Sequence, residues 1–238
     1  MTDYLVMALD DEPAHASQSP KAMSELIDES AAYADELRRA GRLRDRGRLR
    51  PSHEGKRVRR DGERLAVEGG PFAEQGRALG GYYWIQASSL DEATSLAARA
   101  PVLPADAIEV RPVMSKKGVV PTDKEAKAGK LFACGVLGNA ATEPAWIAAM
   151  DRIDDETRGR FPEASFLGGL RLEAPGVGRR ITGQGRHAMV DGPFLESKEV
   201  IGGLVFVRMS SIDEVVRWAS ETPFVVHGAL ELRELWRI

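Results

Sequence analysis

The chain has a single cysteine, Cys134, among 238 residues, so no internal disulfide can staple it and its stability has to come from a packed core. Cys134 sits inside the apolar run from Leu131 to Leu137 and reads as a buried strand residue. Histidine is also scarce. His15, His53, His187 and His227 are too scattered for a zinc site, and neither a metal nor another cofactor is expected. No apolar run reaches the roughly 18 residues of a membrane span, and Met1-Thr2-Asp3-Tyr4 leads into no basic-then-apolar leader. No membrane partner is expected, and the setting is read as cytoplasmic. Aromatic residues make up 6% of the chain, and none lies between Arg38 and Arg60, where eleven lysines and arginines gather. Single-stranded nucleic acid needs a stacking platform as well as charge, and the net charge here is −3. No nucleic-acid partner is expected, and the basic stretch reads as a solvated strand face or a surface for an acidic protein.

What is present is the composition of a soluble globular protein, 43% hydrophobic and 29% charged, long enough for one large domain or two ordinary ones. Self-comparison decides between them. Adding 122 to positions 70 to 111 gives 192 to 233, and fifteen of these 42 aligned pairs are identical; unrelated chains would match at roughly one position in seventeen. Gly70-Pro71-Phe72 matches Gly192-Pro193-Phe194, Gly80-Gly81 matches Gly202-Gly203, Asp91-Glu92 matches Asp213-Glu214, and Glu109 and Arg111 match Glu231 and Arg233. The N-terminal parts align with Tyr4 to Leu9 opposite Leu131 to Val136. Ser115 to Gly129 is polar and lacks an apolar period, so the expected division is a domain at 1–114, a linker at 115–129 and a domain at 130–238.

Within the first copy, Tyr4 to Leu9 predicts a strand and Met23 to Arg39 a helix with Pro20 in its first turn. Arg42 to Arg50 alternates as a strand with a basic face, Arg57 to Val67 predicts a hairpin around Asp61-Gly62, and Tyr82 to Gln86, Leu90 to Ala98 and Ala107 to Val113 predict strand, helix and strand. The second copy predicts the same order, with Trp146 to Arg158 as its first helix and a hairpin around Gly183. A β-α-β unit, a hairpin and a second β-α-β unit give an α+β fold, the ferredoxin-like split βαβ with an added hairpin, twice in tandem. Two such sheets in one chain would pair face to face.

Asp191-Gly192-Pro193-Phe194-Leu195-Glu196-Ser197-Lys198-Glu199-Val200-Ile201-Gly202-Gly203 resembles the motif Asp-Gly-Pro-Phe-x-Glu-x-Lys-Glu-x-x-Gly-Gly of the YCII-related (DGPF) family, and His227 to Arg233 resembles the His-Gly-x-Ile-Glu-Val-Arg that ends its domains. The resemblance implies a dimeric α+β barrel formed here within one chain. It also implies either kinship with dehydrochlorinases and muconolactone isomerases or association with extracytoplasmic-function sigma factors. The first copy departs from the motif: Gly69 stands opposite Asp191, Gly76 opposite Lys198, Arg77 opposite Glu199 and Ala105 opposite His227. The expectation is therefore one competent polar site at most, in the second copy.

For that site, Asp191 suits either an Asx-type turn or a general base, and His227 either a proton carrier or a structural donor. The expected catalytic pair is Asp191 and His227, with Phe194, Lys198, His187 and Arg233 as substrate-binding candidates. His187 shares a face with Asp191, and Arg233 suits a substrate carboxylate or a cross-strand pair with Glu231's neighbours. Three functions stay open: a small-molecule lyase or isomerase using acid–base chemistry in a cleft between the repeats, a non-catalytic ligand-binding or regulatory module, or a scaffold acting through the basic face that carries Arg44, Arg46 and Arg48. A monomer with an internal pseudo-dimer and a homodimer both fit.

Overall fold

The computed structural model describes residues 1–72, 77–118, 129–138, 166–182, 188–191 and 200–236, with the backbone alone at 188–191 and 227. It is a mostly-sheet α+β protein. The first repeat runs β1 (Thr2–Asp11), α1 (Glu12–Ala16), α2 (Pro20–Arg39), β2 (Leu43–Leu49), β3 (Lys56–Asp61), β4 (Arg64–Gly69), β5 (Arg77–Ala87), α3 (Leu90–Ala97) and β6 (Ala107–Gly118). The second runs β7 (Lys130–Gly138), β8 (Phe166–Leu172), β9 (Arg179–Thr182), β10 (Ala188–Asp191), β11 (Val200–Met209), α4 (Ile212–Glu221), α5 (Phe224–His227) and β12 (Ala229–Trp236). The expected helix from Trp146 to Arg158 and the turn at Gly183 lie outside the described residues. No described helix is long and apolar enough to cross a membrane.

The chain forms two compact units, and each draws on both repeats: residues 1–48, 72–114 and 172–197 make one, and residues 49–71, 115–171 and 198–238 the other. In the first unit the antiparallel order is β2-β5-β1-β6-β9-β10, and in the second it is β8-β11-β7-β12-β3-β4. The last two strands of each sheet are thus the hairpin of the other repeat. Ile181 of β9 packs in the first core with Tyr83, Ile85 and Val110. Val58 of β3 takes the matching place in the second core with Phe132, Val207 and Trp218.

The shared Glu-x-Arg holds each borrowed hairpin. Arg111 is buried, gives Nη1 to Glu109 at 3.0 Å, and donates Nε at 2.9 Å and Nη2 to the Glu173 carbonyl. Arg233 is equally buried, gives Nη1 to Glu231 at 2.9 Å, and donates Nε at 2.9 Å and Nη2 to the Arg50 carbonyl. The second oxygens of Glu109 and Glu231 accept from Arg180 and Arg57, each at 2.9 Å. Gly178 and Gly55 leave room for the two guanidinium stems, since a Cβ there would fall 2.5 Å from Arg111 Cδ and 2.6 Å from Arg233 Cδ. A buried guanidinium is tolerated because each direction it points finds an acceptor.

The helices start on matching caps. Ser89 and Ser211 accept the N–H of Glu92 and Glu214 at 3.2 and 3.3 Å, and those carboxylates reach back to the backbone N–H of Ser88 and Ser210 at 2.6 and 2.8 Å. The repeated Ser-Ser-x-Asp-Glu is therefore a helix start.

Strand register corrects the N-terminal alignment by one residue. Ala8 pairs with Gly81 and Val136 with Gly203, so Ala8 corresponds to Val136 and Tyr4 to Phe132. The sequence misled because β1 and β7 are buried on both faces and carry no polar alternation to set the register. With the shift, Asp10 stands opposite Gly138.

Candidate active site

The apolar run of β1 stops at Asp10-Asp11. Asp11 caps a short helix, its Oδ1 accepting the Ala14 N–H at 2.9 Å, and Pro13 suits the first turn. This one and a half turns of α1 carry His15 back over the end of the strand. Asp106, just before β6, is buried and accepts the N–H of Asp11 on Oδ1 at 2.8 Å and that of Leu103 on Oδ2 at 2.7 Å. His15 Nε2 lies 3.1 and 3.0 Å from these same two oxygens. Because the partner is a carboxylate, Nε2 carries the proton and donates.

Asp10 completes the cluster. Its Oδ2 lies 3.6 Å from His15 Nε2 and accepts from Arg48 Nη2 at 2.9 Å. A Cβ on Gly80 would fall 1.9 Å from Asp10 Oδ2, so the carboxylate occupies space that only glycine leaves open. The ladder skips a residue there, between the pairs Ala8–Gly81 and Leu9–Leu79.

Burial alone would lower the His15 pKa. The Asp106 hydrogen bond and the charges of Asp10 and Asp106 outweigh it and the opposing charge of Arg48, so the imidazole is raised above its ordinary value. His15 Nδ1 is buried and makes no hydrogen bond among the described residues. A ring fixed through Nε2 offers Nδ1 as the base when neutral and as the acid when charged. Ligand atoms of Asp10, His15 and Asp106 also lie within 4.8 Å of one another, a spacing that suits a cation. Arg48 already supplies positive charge there, and both Asp106 oxygens accept backbone N–H groups, so the set is better arranged to hold a proton.

This cluster lies in the repeat for which the motif comparison predicts no polar site. The first repeat has Ala105 in place of His227, whereas Asp106 stands opposite Gly228 and Asp10 opposite Gly138, so neither aspartate has a polar counterpart in the second repeat to mark it. The available signal was Asp11-x-Pro13 as a helix start, which would have placed His15 on a helix directly after a strand end.

Of the residues singled out in the second copy, Asp191 ends β10, opposite Arg179, whose own partner is Val110. That is four residues along β6 from Asp106, or ~13 Å of strand, so its backbone does not join the His15 end. His227 ends α5, before β12. Asp191 falls in the first compact unit and His227 in the second. Phe194, Lys198 and His187 lie outside the described residues. Arg233 is 2% exposed and turned inward on Glu231 and Arg50.

Comparison with curated proteins gave no match. Among solved structures the chain is similar to an anthrone oxidase-like protein, at 9% identity and a TM-score of 0.45, over 99% of this chain and 92% of that one. The model of the YCII-related domain matches residues 3–117 and again residues 122–238, so the chain belongs to the YCII-related family as a tandem two-copy member.

Proposed function

We propose that the protein is a small-molecule enzyme of lyase or isomerase type whose proton-transfer group is His15, oriented by Asp106. The observation that carries this reading is the division of labour on one imidazole: Nε2 is committed to a buried carboxylate, while Nδ1 has no hydrogen-bond partner among the described residues. A purely structural histidine gains most when both nitrogens are satisfied. The raised pKa strengthens the ring as a base at neutral pH, and Arg48, partly exposed beside Asp10, supplies a cation for an anionic substrate.

For the second repeat the same reading proposes Asp191 and His227 as acid–base groups, with Phe194, Lys198 and His187 as substrate contacts; Arg233, buried on Glu231 and the Arg50 carbonyl, serves the scaffold instead. For the fold it proposes two ferredoxin-like repeats, 1–114 and 130–238 joined by 115–129, paired as a dimeric α+β barrel within one chain. Supporting that is the strand order of each unit, with the first strand of each repeat central.

A second reading, a non-catalytic ligand-binding or regulatory module, is favoured by one observation: His15 is only 11% exposed and already ion-paired. Proton exchange separates the two. Enolisable 2-oxo acids and unsaturated lactones are incubated with the protein in D2O and followed by 1H NMR. Exchange that the His15→Asn variant loses supports the enzyme; binding without exchange favours the module; exchange that survives in His15→Asn overturns the assignment to His15.

A further inference from the structure

β4 is a sheet edge, pairing only with β3 among the described residues. Such edges are usually blunted by short length, proline or an inward charge. Here the six-residue strand instead carries exposed apolar side chains, Leu65 at 36% and Val67 at 45%.

The sequence of this edge, Arg64-Leu65-Ala66-Val67-Glu68, is complementary to itself. Laid antiparallel to a second copy with the twofold axis at Ala66, it sets Arg64 opposite Glu68, Leu65 opposite Val67, and Ala66 opposite Ala66. The hydrogen-bond phase agrees. Asp61 and Arg64 flank the two-residue turn Gly62-Glu63, and that flanking pair exchanges both of its hydrogen bonds. Arg64, Ala66 and Glu68 therefore direct their backbone groups toward β3, and Leu65 and Val67 direct theirs outward. The outward residues are the ones that the twofold pairs as a hydrogen-bonded couple. Opposite residues share a face, so the four apolar side chains form one patch and the two ion pairs lie on the other side. Glu68 already pairs with Arg59 at 2.7 Å, and a carboxylate accepts a second guanidinium readily.

We propose that β4 is a self-association edge, through which two copies of this chain join the second unit's sheet into one antiparallel sheet across a twofold axis. The second repeat offers an internal contrast. By the offset of 122, Arg64 to Glu68 correspond to Arg186, His187, Ala188, Met189 and Val190, which have no acidic partner for the arginine. The self-complementary pattern of β4 is not repeated in that segment.

The test uses the full chain. In sedimentation equilibrium the wild type is expected to dimerise as concentration rises toward ~1 mM, as suits a small interface. Val67→Pro removes an outward N–H that β3 does not use, and should abolish dimerisation with the circular dichroism unchanged. Arg64→Glu should weaken the dimer about tenfold by setting like charges opposite each other, and Arg64→Glu with Glu68→Arg should restore it. As a trap, Ala66→Cys should form an intermolecular disulfide faster than Val177→Cys, which is 52% exposed on a different segment, because opposed residues at a non-hydrogen-bonded position lie about 4.5 Å apart. A wild type that stays monomeric, a dimer indifferent to Val67→Pro and the charge reversals, or equal cross-linking of the two cysteines would each overturn the proposal.

Discussion

His15 Nε2 stands 3.0 Å from Asp106 Oδ2 across 91 residues of sequence, and the contact ties the five-residue helix α1 to the loop that leads into β6. Two carboxylates and an arginine surround one imidazole there, in the repeat that has Ala105 where the second has His227.

The first prediction concerns pH. The folded His15 pKa is raised above the unfolded value, so its contribution to stability is full below about pH 6.5 and is lost as pH rises through the folded pKa. Urea denaturation of the wild type and His15→Asn should show the largest difference below about pH 6.5 and a shrinking one as pH rises above it. A difference that grows with pH would contradict the assigned sign.

Gly80→Ala places a methyl group where the Asp10 carboxylate lies, and Asp10 is held by Arg48, so the side chain has little freedom to yield. The cost expected is about 1–3 kcal/mol, read from chemical denaturation. Displacing the Asp10 carboxylate away from His15 should also lower the His15 pKa. An unchanged stability would mean that the close approach is easily relieved.

Removing either arginine clamp leaves a buried carboxylate with one guanidinium partner in place of two and frees a buried backbone carbonyl of its donors. Arg111→Met and Arg233→Met should each destabilise by about 3 kcal/mol, and pairing each with Glu109→Gln or Glu231→Gln should recover part of the loss in a double-mutant cycle. Strictly additive effects would show that the pairs act independently.

Cys134 lies fully buried in the second core, and burial pushes its thiol far above the usual range. It should resist a thiol reagent in the native protein and react at once in denaturant. Fast labelling of the native state would place the residue outside the core.

Element types were legible wherever apolar periodicity, caps and turns spoke together: β3–β4 around Asp61-Gly62, α3 after Ser88-Ser89, and the paired Glu-x-Arg strands. The exchange of hairpins was not legible, because Val58 and Ile181 pattern the same way whichever sheet they join. Nor was the role of Gly80, which as one of two shared glycines looked like scaffold and proves to leave room for Asp10. His15 was missed for a related reason. Comparing two copies reveals what they share or have exchanged, whereas Asp10, His15 and Asp106 are brought together by a cap that the sequence signals and by a bulge and a loop that only three dimensions display.

The most direct test of the central claim is a long-range 1H–15N NMR titration of the His15 ring in the wild type and in Asp106→Asn. The account predicts the Nε2–H tautomer in the neutral ring, a pKa above the ordinary histidine value, and a fall in that pKa when Asp106 is neutralised. A His15 that titrates at or below the ordinary value in the wild type, or that does not respond to Asp106→Asn, would contradict it.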